Sequence, residues 1–188
     1  MVITIQPTAV QQRQPATPPT DLYVCPFTVL ESNAEQTPWT FQGITTDAGR
    51  RLWVIPRKRL YMKTADYSIE GCENQILIER KGDDFLSSIT TESARLRREF
   101  ERMAAVVKDG GFACMVVESC LAAICDELDS PASERKITSD TVIGWCASWV
   151  QRYGVPVYFA GDRRRAELLA FRILVKWYQE HGGSKETP

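Results

Sequence analysis

The stretch from Asp66 to Asp84, D-Y-S-I-E-G-C-E-N-Q-I-L-I-E-R-K-G-D-D, constrains the fold of this chain more than any other. Two short apolar runs, Asp66–Glu70 and Gln75–Glu79, flank Gly71-Cys72-Glu73-Asn74. Those four residues supply turn chemistry, so the segment predicts a β-hairpin with a four-residue loop. Pairing Glu70 with Gln75 sets the register and places Asp66 directly across from Glu79, with Cβ atoms about 4.5–5.5 Å apart. Side chains alternate along a strand, so Glu79 and Lys81 share one face and Arg80 points to the other. Two carboxylates side by side repel each other, and folding alone gives no reason to pair them. A divalent cation does: Mg²⁺ or Mn²⁺ takes oxygen ligands and commonly uses one or two carboxylates plus substrate phosphate oxygens. Asp66, Glu79 and Lys81 thus form the Asp…Glu-x-Lys pattern of metal-dependent DNA cleavage. In that pattern the carboxylates hold the cation, with the Ile78 carbonyl as a further candidate ligand. The ammonium orients a water or stabilises charge on phosphorus.

Length and composition bound the rest. The chain has 188 residues, 44% hydrophobic and 25% charged, values of one globular domain with a substantial core. No apolar run approaches the roughly 20 residues of a membrane span, and the N-terminus lacks the apolar core of a signal peptide. A cytoplasmic protein with no membrane partner is expected. Six cysteines include no C-x-x-C pair and accompany a single His, which argues against zinc and for small core residues. The net charge of −1 means that nucleic-acid contacts must come from local patches.

Residues 1–22, rich in Gln, Pro and Thr without periodicity, predict a disordered tail, conceivable as a Pro-rich ligand. Residues 23–182 form the folded domain, and residues 183–188 a C-terminal tail. Phe27–Glu31 predicts the first strand and Leu52–Ile55 a short buried one. Arg57, Lys58 and Arg59 follow Pro56 at a sheet edge, where they either discourage aggregation or meet phosphate. A helix starts near Asp84 and breaks near Thr90-Thr91. Ser93–Lys108 predicts an amphipathic helix with Leu96, Phe100, Met103 and Val107 as its core stripe. Arg97, Arg98 and Arg102 are accounted for by a solvated face salt-bridged with Glu99 and Glu101. After Gly110-Gly111, Phe112–Glu118 predicts a buried parallel strand, with Glu118 as a strand-end polar residue.

A short helix or irregular turn over Ser119–Asp129 leads to a helix capped by Ser139 or Asp140 and running to Tyr153. Its Trp145, Trp149 and Tyr153 read as core, with base stacking as the alternative. Val155–Phe159 predicts the last strand, and Arg163–His181 the last helix. Arg163, Arg164 and Arg165 sit in that helix's first turn, where the macrodipole disfavours cations. They are either a phosphate site or a solvated basic turn. Apolar residues on two sides of the helix (Ala166, Ala170, Ile173 and Trp177; Leu168, Phe171 and Val175) predict burial or a partner. The expected architecture is a single α/β domain whose mixed central sheet, about five strands flanked by helices, has an antiparallel hairpin entering a parallel part.

Ala65-Asp66-Tyr67, Ile78-Glu79-Arg80-Lys81, Asp83-Asp84-Phe85-Leu86 and the following Ser87-Ser88-Ile89 and Ala94-Arg95-Leu96 together resemble the XPF/Hef-type structure-specific endonuclease domain. That domain has a restriction-endonuclease-like fold in the PD-(D/E)XK nuclease superfamily. Its signature is G-D, then E-R-K-x3-D, and the likeness runs from about Phe27 to the last helix. The resemblance implies a Mg²⁺- or Mn²⁺-dependent endonuclease for branched DNA (flaps, forks or junctions) in repair or recombination, working as a homodimer. Together with the readings above it points to Asp66, Glu79, Lys81 and Glu35 as catalytic residues, with Asp66, Glu79 and Glu31 on the metal and Arg80, Arg95 and, from the helix-start reading, Arg163–Arg165 on DNA.

Two departures stand out. Ser32 and Ala34 fall where the family has Asp and Arg, leaving Glu31 as either a shifted ligand or a solvated strand end. Asp84 lies one residue short of the Lys-x3-Asp spacing, so Asp83 or Asp84 either fills that place or caps the helix. Neither a helicase motif nor a tandem helix-hairpin-helix module is evident, so weak binding, dimerisation or a borrowed partner is expected. The alternatives are an inactive nuclease-fold scaffold and a general DNase.

Overall fold

The computed structural model describes residues 21–46, 51–91 and 93–182. The tail expectations for residues 1–20 and 183–188 lie outside them. The elements are β1 (Asp21–Val24), β2 (Val29–Ser32), β3 (Arg51–Val54), β4 (Arg57–Leu60), β5 (Tyr67–Ile69), β6 (Ile76–Lys81), α1 (Phe85–Thr90), α2 (Ser93–Lys108), β7 (Phe112–Val117), α3 (Leu121–Asp129), α4 (Ser139–Tyr153), β8 (Val157–Phe159) and α5 (Arg163–His181). Six strands form the central sheet in the order β4-β2-β5-β6-β7-β8, and β1 and β3 pair as a separate ribbon. β5 is antiparallel to β2 and β6, whereas β7 is parallel to β6 and β8. The mixed sheet is the expected one: a hairpin entering a parallel half.

The hairpin has the predicted register. Tyr67 pairs with Ile78, and the Asp66 N–H donates to the Ile78 carbonyl at 3.1 Å, which puts Asp66 across from Glu79. Gly71 (φ +82°) turns the loop, a conformation that costs glycine nothing. On β6 and β7 the pleat sorts apolar side chains into two cores. Ile76, Ile78, Cys114 and Val116 pack with Ala170, Phe171 and Leu174 of α5. Leu77, Ala113, Met115 and Val117 pack on the opposite face with Phe100 and Met103 of α2, Ile124 of α3 and Val142 of α4. Gly111 is required where α2 hands over to β7, because a Cβ there would lie 2.5 Å from the Gln75 carbonyl oxygen.

Several details differ from expectation. The basic run Arg57–Leu60 is itself a strand, parallel to β2 at the sheet edge, where solvated cations are compatible with an unpaired side. The Leu52–Ile55 strand is shifted to Arg51–Val54, pairs with β1 outside the main sheet, and buries only Trp53. β1 begins at Asp21, so residues 21 and 22 belong to the folded domain. α4 is capped by Thr138, whose hydroxyl accepts from the Thr141 N–H at 3.3 Å, rather than by Ser139 or Asp140. In α2, Glu99 is buried among the core stripe rather than on the solvated face. No described helix is long and apolar enough to cross a membrane.

Candidate active site

At the C-terminal end of β6, Asp66, Glu79 and Lys81 converge on an open depression of about 460 Å³, also lined by Ala34, Glu35 and Arg95. Glu79 and Lys81 are almost fully buried, and Lys81 Nζ lies 2.7 Å from Glu79 Oε1. Asp66 Oδ2 accepts the Arg80 backbone N–H at 2.8 Å, which fixes its carboxyl beside the strand. From α2, Glu99 brings Oε2 within 3.5 Å of Lys81 Nζ. Three carboxylates therefore surround one ammonium. Burial pushes the Asp66 carboxyl above the usual carboxylate range, against the Arg80 hydrogen bond and with help from Glu35. Burial likewise raises Glu79, and Asp66 raises it further. Burial alone would lower Lys81, but Glu79 and Glu99 outweigh it and hold the ammonium charged.

The other face of β6 carries a different arrangement. Arg80 donates from Nε to Glu118 Oε1 at 2.8 Å and from Nη2 to Glu118 Oε2 at 3.0 Å, the fork geometry that suits a carboxylate. Its Nη1 reaches Glu35 Oε1 at 3.1 Å. Glu118 Oε1 also accepts from Trp39 Nε1 at 2.6 Å and from Arg163 Nη1 at 3.3 Å. Arg163 in turn donates to the carbonyls of Thr37 and Pro38, both at 2.8 Å. A strand end, a helix start and a loop are thus tied to one carboxylate.

The predicted residues therefore separate. Asp66, Glu79, Lys81, Glu35, Arg80 and Arg95 come together around the depression. Glu31 does not: it pairs with Tyr67 across the ladder, is buried, and is held by Arg57 at 3.3 Å and Arg59 at 3.0 Å. Beside Asp66 lies instead the buried Ser32, whose N–H donates to the Asp66 carbonyl at 2.8 Å. Arg80 is occupied with Glu118 and Glu35, and Arg163 with Glu118. Arg164 binds Glu167 at 2.7 Å and Arg165 binds Asp162, so all three first-turn arginines of α5 carry carboxylate partners. Arg95 is largely exposed and contacts Glu99 at 3.2 Å. Asp84 accepts from the Gly82 N–H at 3.0 Å and so turns the chain into α1.

Sequence reasoning missed Glu99 as a neighbour of Lys81, although a signal was present. Glu99 lies three residues after Leu96 and four before Met103, on the buried stripe. It also missed Glu118 as a hub, for which no local signal existed.

The donor chemistry fits a hard divalent cation. Asp66 and Glu79 each keep a second oxygen that takes no hydrogen bond from a described residue. Among the described residues no three His, Cys, Asp or Glu groups are placed to cage a metal. Mg²⁺ and Mn²⁺ keep waters and take substrate phosphate oxygens as further ligands, so such an ion would rest here on Asp66 and Glu79 alone among the side chains.

Comparison with known proteins gives a family and a fold. The profile of the ERCC4 domain matches residues 17–170. The solved structure of XPF from Aeropyrum pernix superposes with a TM-score of 0.56 at 17% identity, covering 86% of this chain and 64% of that one. XPF from Aeropyrum pernix in complex with DNA gives 0.54 at 16% identity, covering 85% and 70%. At such identity the likeness is one of fold, and this chain spans just under two thirds of the first of those structures. No curated protein matches it.

Proposed function

The chain belongs to the ERCC4 domain family, and from that premise we propose that it is a metal-dependent DNA endonuclease acting on branched DNA. The observation that carries the proposal is the site itself. A buried carboxylate, Glu79, a half-buried one, Asp66, across the hairpin from it, and a lysine 2.7 Å from Glu79 face an open depression. Asp66 and Glu79 would hold Mg²⁺ or Mn²⁺, which supplies a water of lowered pKa and neutralises charge on the phosphate. Lys81 keeps its proton between Glu79 and Glu99, so its ammonium orients the attacking water and offsets charge at phosphorus. Arg95, exposed at the rim, meets the phosphate backbone. Glu35 lines the same depression but holds Arg80, so its role is to position the β6 end. The preference for flaps, forks or junctions rests on the family resemblance, and one of the similar structures is a complex with DNA.

The homodimer belongs to the same reading. Its support is an apolar groove of about 410 Å³ beside α5, lined by Phe112, Leu169, Ile173 and the largely buried Trp177. Light scattering that finds only monomer at micromolar concentration removes that part.

One observation favours a second reading, a nuclease-fold scaffold without catalysis: Ser32 stands where the family has a carboxylate. A gel assay decides. Labelled splayed-arm, flap and linear duplex DNA are incubated with Mg²⁺, Mn²⁺ or EDTA. The expected result is metal-dependent nicking near the branch, reduced at least about 100-fold by Asp66→Ala and by Lys81→Ala. Binding without cleavage under every condition overturns the enzyme and leaves the scaffold. Equal cutting of linear duplex overturns the branch preference and leaves a general DNase.

A further inference from the structure

Two grooves adjoin on the far side of α2 from the catalytic depression. One, of about 270 Å³, runs between α2 and α4 and is lined by Arg97, Trp149, Arg152 and Tyr153. The other, of about 570 Å³, is lined by Arg135 and Lys136 from the α3–α4 connection. Both share Ile89, Ser93 and Trp145. Among the described residues four cations line the pair and no carboxylate does, in a chain whose net charge is −1. The walls are aromatic. Trp149 and Tyr153 stack on Phe100 with centroids 4.6 and 5.5 Å away, and the Arg152 guanidinium lies 6.0 Å over the Tyr153 ring. All three rings of these walls, Trp145 included, pack against the core on this face of the sheet. Trp145, half-buried where the grooves meet, makes no ring contact with another described aromatic. Arg97 is exposed and has no ion pair with a described residue.

Building on the nuclease reading, we propose that these grooves bind one unpaired DNA strand, with a base stacked on Trp145 and its phosphates on Arg97 and Arg152. A positively charged groove with an aromatic platform is the means by which proteins hold single strands without reading sequence. A concave slot between two helices admits an unpaired base, whereas a duplex buries its base faces in the stack. The position agrees. Arg95 borders the catalytic depression, while Ser93 and Arg97 border the groove. Residues two apart in a helix diverge by about 200° around a cylinder roughly 10–12 Å across. A strand leaving the cleft therefore reaches the groove by crossing the first turn of α2. The site would hold the free arm of a fork while the duplex portion lies over Asp66 and Glu79.

The test is fluorescence anisotropy of a labelled oligothymidine and of a blunt duplex of equal length, with the full chain in EDTA so that nothing is cut. Trp145→Ala should weaken the single strand roughly 5- to 150-fold, the range of one lost base–aromatic stack, and change the duplex less than about 2-fold. Trp145→Phe should retain most of the affinity. Trp145→Leu keeps apolar volume without a π face, so a loss matching that of Trp145→Ala separates stacking from packing. The double variant Arg97→Ala/Arg152→Ala, both exposed, should flatten the dependence of log K on log salt by about 1.4, two phosphates at about 0.7 each.

Unchanged single-strand affinity in all variants, with the wild type still nicking forks, overturns this inference alone and leaves the surface to an acidic protein partner. An equal loss on strand and duplex also overturns it. A wild type that neither binds nor cuts any DNA overturns the nuclease reading together with it.

Discussion

The two faces of β6 carry clusters of similar residues in opposite states. On the α2 side, Asp66, Glu79 and Glu99 surround Lys81, and the carboxylates outnumber the ammonium. On the α5 side, Glu118 and Glu35 face Arg80 and Arg163, two charges of each sign joined in short hydrogen bonds. The second cluster is closed: every charge has a partner, and its work is to tie β6, β7, the residue 37–39 loop and α5 together. The first cluster is open: its three carboxylates outnumber Lys81 and Arg95, the two described cations that reach them. Alternation along one strand, Glu79-Arg80-Lys81, thus delivers one residue to the open cluster, the next to the closed cluster and the third to the open one again. An unbalanced buried cluster is evidence of a ligand in a way that a balanced one is not.

The comparison breaks most visibly at the closed cluster. Glu118→Ala leaves Arg80, with a side chain only 11% exposed, without its forked partner, and Trp39 Nε1 without an acceptor. The expected loss is roughly 3–5 kcal/mol of folding stability, the cost of breaking a buried pair from one side, read from urea unfolding. A loss below about 1 kcal/mol, the worth of a surface ion pair, would mean that the clamp does not hold the loop.

The same comparison shows what could be read from the sequence. The hairpin register followed from two apolar runs and a turn, and α5 from its caps and period, because both signals are local. The closed cluster was not legible: Glu118 meets Arg80 only because β7 lies beside β6, and Arg163 only because α5 returns across the sheet. The first-turn arginines of α5 conflict with the helix dipole, and the conflict signalled carboxylate partners here as readily as it would a phosphate. At the end of β2 a one-residue step decides everything, since neighbouring side chains take opposite faces. Glu31 therefore goes with Tyr67 and Arg59, and Ser32 with Asp66. Composition suggested edge protection at Arg57–Arg59, and tertiary pairing made that run a strand.

The open cluster is sharpened by pH and metal together. Asp66 and Glu79 have carboxyls raised above their unfolded values, so the folded chain binds more protons than the unfolded one across that interval. Stability from this source is complete below the ordinary carboxylate range and is lost as pH rises through the raised values toward and past neutrality. Without metal, the melting temperature should therefore fall between about pH 5 and pH 8. Asp66→Asn keeps an acceptor for the Arg80 N–H but removes a buried charge. It should recover roughly 1–2 kcal/mol at the upper end of that range while losing cleavage. Saturating Mg²⁺ should reverse the trend for the wild type, since bound metal displaces the proton, by roughly 2.7 kcal/mol at one hundred times Kd. The Asn variant should gain much less. A wild-type melting temperature independent of both pH and Mg²⁺ would show that the surplus charge is not the feature a cation reads.

The smallest effect concerns the backbone, where one non-glycine residue of positive φ lies near each cluster. Phe41 (φ 55°) belongs to the closed side, and its N–H is held by Glu167. Ala65 (φ 62°) immediately precedes Asp66 on the open side, where the resembled signature has glycine. Left-handed backbone costs an L-residue about 1–2 kcal/mol, which Ala65→Gly would relieve. Against that stand about 0.4–1 kcal/mol of added freedom in the unfolded chain and about 0.8 kcal/mol for one buried methyl. These nearly cancel, so Ala65→Gly should change stability by less than about 0.5–1 kcal/mol in either direction. Ala104→Gly, buried in α2 with ordinary helical backbone, should lose about 1.5–2 kcal/mol, from the helix penalty of glycine plus the same methyl. Thermal unfolding of the two variants side by side isolates the backbone contribution. If both lose equally, the left-handed turn is not under strain, and the approach of Asp66 to Glu79 is set by the strand ladder alone.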